Sequence, residues 1–124
     1  MFDVRFFRDP KGKCPVLISL NEMQEQAEAK AYVRIEQLAQ LGNNLQRPLS
    51  DYLRDGIYEL RWRFVKVQYR LLYFFSGKQI IVLSHIITKK SEVPDKEIDR
   101  CIFNKNLFEK NPEQHTYVLD EMEA

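Results

Sequence analysis

The sequence predicts a compact α+β fold: an N-terminal strand, a helix or helical hairpin, an antiparallel β-meander and a C-terminal helix. Three observations predict it. A helical apolar period occupies residues 20–41, three β-branched and aromatic runs follow over 57–87, and a second helical period opens after Pro94. The 124 residues suffice for one such domain and not for two independent cores.

The elements follow in order. Phe2, Val4 and Phe6 alternate with Asp3 and Arg5, so residues 2–7 read as a strand, and Asp9-Pro10-Lys11-Gly12 turns the chain. Ser19-Leu20-Asn21-Glu22 fits a capping box, in which the hydroxyl and the carboxylate each satisfy an unpaired backbone N–H. Leu20, Met23, Ala27, Ala31, Leu38 and Leu41 continue at helical spacing to a stop at Gly42, as one long helix or two short ones with an apolar stripe for the core. Residues 43–56 are turn-rich and read as a loop. Ile57–Phe64, Val67–Phe75 and Gln79–Ile87 then form the meander, with turns at Val65-Lys66 and Ser76-Gly77-Lys78. The last helix begins near Pro94, carries Asp95 and Glu97 at its positive end and stops at Asn111-Pro112.

Composition narrows the class. With 44% hydrophobic and 30% charged residues, and no apolar run approaching the ~20 of a membrane helix, the chain reads as soluble. Residues 1–8 lack the apolar stretch and cleavage site of a signal peptide, so a cytoplasmic location is expected. Cys14 and Cys101 have neither CxxC spacing nor histidine-rich company and read as buried thiols; no metal or other cofactor is expected. The net charge of +1 hides a division: residues 47–90 hold nine basic and three acidic residues, and residues 91–124 hold four and nine. A basic middle suits a polyanion; residues 113–124 form an acidic end with an exposed His115, either a solvated tail or a segment docked through Tyr117, Val118 and Leu119 whose carboxylates compete for the basic surface.

Within the meander, Tyr58, Leu60, Trp62 and Phe64 point one way and Glu59, Arg61 and Arg63 the other. If Val65-Lys66 is a two-residue turn, Arg61 falls opposite Arg70; a four-residue loop would bring Arg63 opposite Arg70 with the same sidedness, and an odd-length loop would reverse it. A two-residue turn at Gly77-Lys78 sets Arg70 opposite His85, with Lys89 in phase. Like charges facing each other need an anion between them, and a phosphate fits guanidinium forks. Alternatively, Arg61 and Arg63 are solvated or pair with Glu59 and the acids of the tail. His85 is either a hydrogen-bonded core residue or a proton-transfer group.

At these residues the chain resembles the phage-derived, HigB-like branch of the RelE/ParE toxin superfamily. The matching runs are Asp55-Gly56-Ile57-Tyr58-Glu59-Leu60-Arg61, Tyr69-Arg70-Leu71-Leu72-Tyr73-Phe74, and Leu83-Ser84-His85-Ile86-Ile87-Thr88-Lys89-Lys90 before Pro94. The resemblance spans roughly residues 1–112, the expected toxin domain. It implies a RelE-like fold, a cognate antitoxin of helix-turn-helix type, and cleavage of messenger RNA, commonly on the ribosome. It also implies phosphate-binding arginines at Arg61 and Arg70, a basic pair at Lys89 and Lys90, and a histidine at His85.

Metal-independent cleavage by the ribose 2′-OH needs charge stabilisation, assigned to Arg61 and Arg70, and proton transfer, assigned to His85 or Lys89. Arg63, Lys66 and Lys90 are the further cations expected to bind RNA, and Tyr69 or Tyr73 to stack a base. The rival expectations are a ParE-like toxin that inhibits a protein such as a topoisomerase, and an inactive remnant that binds only its antitoxin.

Overall fold

A computed structural model describes residues 1–118. Its elements are β1 (Asp3–Phe6), α1 (Pro15–Glu22), α2 (Glu25–Leu41), a short 3₁₀ turn (Gly42–Asn44), β2 (Ser50–Arg54), β3 (Ile57–Phe64), β4 (Val67–Ser76), β5 (Ile80–Thr88) and α3 (Asp95–Lys110). They form one five-stranded sheet in the order β1-β5-β4-β3-β2, antiparallel except for the β1–β5 pair. The α+β expectation is met.

The sheet buries both faces. Leu60, Trp62, Leu71, Tyr73, Ile81 and Leu83 pack with Val16, Leu20, Ala31, Ile35 and Leu38 of α1 and α2. On the other face Ile57, Leu72, Phe74 and Val82 pack with Ile98, Cys101 and Phe108 of α3. The alternation along each strand is what sorts these two sets.

The helical region consists of two helices, and the expected capping box does not start either. Pro15 occupies the first turn of α1, where its fixed φ favours a helix, so Ser19 falls mid-helix. Met23 and Gln24 are extended and make the break. Gly42 ends α2 with φ +53; an added Cβ there would collide with the Phe2 ring, so glycine also admits β1.

Residues 50–54, expected in a loop, are the edge strand β2. Asp55 and Gly56, with φ of 51° and 81°, turn it into β3 as a two-residue hairpin whose primed geometry suits Asp-Gly. The next hairpin matches expectation, with Phe64 paired to Val67 and Arg61 to Arg70.

The β4–β5 register does not match. Three residues, not two, turn the chain, because Ser76 pairs with Ile80; Arg70 consequently faces Ile87, and His85 faces Leu72. An odd turn reverses sidedness, but a bulge opposite Leu72 and Tyr73 reverses it again. Both Ser84 and His85 therefore face α3, and His85 keeps the side of Arg70.

The described start of the acidic end, residues 113–118, packs on β1. Thr116 bridges Phe7, Arg8 N–H donates to the His115 carbonyl at 2.9 Å, and Tyr117 N–H donates to the Phe6 carbonyl at 2.8 Å. His115, expected exposed, is buried against Phe7 with ring centroids 5.5 Å apart. It was misread because a short polar segment gives no sign that it covers an edge strand. Asp120, Glu121 and Glu123 lie outside the described residues.

Candidate functional site: a charged groove between the sheet and the start of the last helix

Asp51 on β2 faces Glu59 on β3, and Arg61 on β3 faces Arg70 on β4. Two like-charged pairs thus sit side by side, and their attraction is diagonal. Arg61 donates from Nε to Glu59 Oε1 at 2.9 Å and from Nη2 to Asp51 Oδ2 at 3.0 Å, while Arg70 Nη1 donates to Glu59 Oε1. The anion between the two arginines is therefore Glu59, as the alternative reading of the sequence held for Arg61. Arg47 holds the outer side of Asp51 at 2.9 Å. That hydrogen bond, more than the charge of Arg61, keeps the Asp51 carboxyl below the usual range, and the bond to Glu59 raises the Arg61 guanidinium.

These groups line an open groove of about 620 Å³, together with Arg54, Lys90, Ser91, Glu92 and Asp95. One wall is the β2–β3–β4 sheet; the other is the segment from β5 into α3. Arg54 closes its end, donating to Asp55 at 2.8 Å and to Asp99 at 2.9 Å, and so ties the β2–β3 hairpin to α3.

The structure brings together Arg61, Arg70 and Lys90 from the expected set. Arg70 is nearly enclosed, with a side chain 11% exposed, and its Nε donates to the Lys89 carbonyl at 3.1 Å. Arg61 keeps 31% of its side chain open. Lys89 is exposed at the end of β5. Arg63 and Lys66 are exposed beyond the groove near the β3–β4 turn, where Arg63 Nε donates to the Val65 carbonyl at 2.9 Å.

His85 lies elsewhere, 1% exposed beneath α3. Its Nε2 is 3.1 Å from Glu97 Oε1 and its Nδ1 2.8 Å from Ser84 Oγ. Burial, aided by Arg100, pushes its pKa down to about 4, so the ring is neutral near pH 7. A carboxylate only accepts, so Nε2 carries the proton and Nδ1 accepts from Ser84, whose oxygen in turn accepts from Asn104 at 2.9 Å. This is the hydrogen-bonded core histidine that the sequence left open.

Tyr69 and Tyr73 are on the opposite face with Trp62. Tyr69 stacks on Trp62 at 5.3 Å. Tyr73 is 1% exposed and 2.6 Å from Ser50 Oγ, and burial pushes its pKa up to about 12. An enclosed ring cannot stack an incoming base, which corrects the expectation for Tyr73. Sequence reasoning missed Arg47, Asp51 and Arg54 because their segment was taken as loop; the Asp55-Gly56 hairpin signal, followed back into Ser50–Arg54, marks the strand that presents Asp51 and Arg54, while Arg47 sits in the turn before it.

The model of the family described as phage derived protein Gp49-like matches residues 19–105. The chain belongs to this family. The Gp49-like match runs from α1 into α3 and encloses the whole groove; β1 and residues 113–118 lie outside it. The Gp49-like family is related to the RelE-type toxins. No curated protein matches the chain. Among the described residues, no helix is long and apolar enough to cross a membrane, and no three His, Cys, Asp or Glu side chains are grouped to hold a metal ion.

Proposed function

We propose that this Gp49-like protein is the toxin of a type II toxin-antitoxin pair of the HigB-like branch, an endoribonuclease that cuts messenger RNA without a metal and is neutralised by a cognate antitoxin. The observation that carries the reading is the meeting of Arg61, Arg70 and Lys90 in one groove, with Arg61 still open to a ligand. A phosphate oxygen entering the groove meets the exposed side of the Arg61 fork, and Arg70 adds fixed positive charge behind it. As the Arg61 guanidinium turns to the phosphate, the Glu59 carboxylate, still held by Arg70, loses its outer cover at the groove and accepts the 2′-OH proton. Lys89 and Lys90, at the rim, supply the remaining proton and hold flanking phosphates.

Arg61→Ala should lower cleavage by about 10²–10³. The test is a gel of ribosome-associated transcripts after induction of wild type and variant, with antitoxin binding as the control for fold. Equal cleavage by both proteins would take Arg61 out of the mechanism.

A specific observation favours a second reading: Glu59 and Asp51 already neutralise the arginines. In that case the cluster is an interstrand clamp and the partner is a protein, a topoisomerase or the antitoxin alone. Inhibition of DNA supercoiling without transcript cleavage would select it.

A further inference from the structure

We infer that Tyr52 is the platform on which an unpaired nucleobase stacks when the adjoining RNA phosphate occupies the arginine groove. The inference rests on the groove being an RNA site and adds the part that recognises a base. Tyr52 is 53% exposed, on an edge strand that pairs only with β3. It lines the groove and also a neighbouring hollow of about 380 Å³ bounded by Leu45, Gln46 and Tyr58. Its ring lies on the Tyr58 face of the sheet and Arg61 on the Glu59 face, but β2 is the edge strand, and Arg47 and Asp51 line both spaces and so connect them around that edge.

The ring is held before any ligand arrives. Gly56 N–H donates to the Tyr52 hydroxyl at 3.1 Å, and the ring meets Tyr58 at 5.0 Å in an edge-on contact. Tyr52 N–H donates to Asp51 Oδ1 at 3.0 Å, and the same carboxylate accepts from Arg61, which ties the ring's backbone to the phosphate-facing fork. Single-stranded RNA alternates phosphate and base, and cations beside an ordered aromatic ring suit that alternation. A duplex, with its bases already stacked, has none to offer.

The test uses fluorescence anisotropy with a short single-stranded oligoribonucleotide whose 2′-hydroxyls are replaced by fluorine to block attack, and with versions abasic at one position each. Tyr52→Ala should weaken binding about 5- to 150-fold, and Tyr52→Phe should bind within about twofold of wild type. One abasic position should weaken wild type by a similar factor and leave Tyr52→Ala unchanged. Tyr52→Leu, which keeps apolar packing against Tyr58, should bind as weakly as Tyr52→Ala; wild-type binding by Tyr52→Leu overturns the stacking role. Normal binding by Tyr52→Ala, with Arg61→Ala defective, overturns the inference alone. Normal binding by Arg61→Ala as well defeats the groove as an RNA site.

Discussion

At the scale of single residues, the groove arginines hold the fold as well as facing a ligand. Glu59 is 2% exposed and shares its carboxylate between Arg61 and Arg70. Arg70→Ala leaves that buried charge half-partnered and frees the Lys89 carbonyl, so it should cost about 3–5 kcal/mol in urea unfolding. The more exposed Arg61→Ala should cost clearly less, which makes it the better probe of function. His85 gives a second prediction. Its folded pKa of about 4 lies below the ordinary 6.5, so the unfolded chain takes up the proton first. Its contribution is complete above about pH 6.5 and is lost as pH falls toward 4, on the order of 3 kcal/mol in all. His85→Gln should flatten that part of the stability profile; an unchanged slope would place the titration on another group. The facing of Arg61 and Arg70 was legible because one short turn determines it. The enclosure of His85 was not, because it depends on a helix that arrives later in the chain.

At the scale of elements, β3, β4, β5 and α3 were legible from period and composition, whereas β2 was not. Five residues with Asp51 and Arg54 among them look like loop until the Asp-Gly turn pairs them with β3. The β4–β5 register escaped because a turn one residue longer and a bulge cancel in sidedness while shifting the partners. The β3–β4 turn also carries a testable strain. Val65 has φ +56 and is 71% exposed, a conformation that its branched side chain disfavours. Val65→Gly should therefore stabilise by about 1 kcal/mol, read as a higher midpoint of thermal unfolding. A lower midpoint would mean that the valine packs in a way that outweighs its backbone cost.

At the scale of the whole molecule, residues 113–118 and the charges beyond them separate by truncation. Ending the chain after Pro112 removes the His115 stack and the Thr116 bridge and uncovers Phe7, so it should destabilise by about 2–4 kcal/mol. Ending it after Val118 spares those contacts and removes Asp120, Glu121 and Glu123. This shorter truncation should strengthen RNA binding at low salt, with the difference shrinking as salt rises. Overlapping binding curves across the salt series would leave these carboxylates without influence on the groove.

The parallel β1–β5 pair, covered on its far side by Thr116, also determines the order in which the protein can be completed during its synthesis. Asp3–Phe6 are translated early, yet their partners are Ile80–Leu83, and the bridge to Phe7 comes later still. Until those residues emerge, β1 waits with Phe7 uncovered while the hairpins from β2 to β4 pair through local contacts. A nascent chain therefore assembles its arginine ladder before its sheet is sealed, and the sealing step belongs to the end of translation.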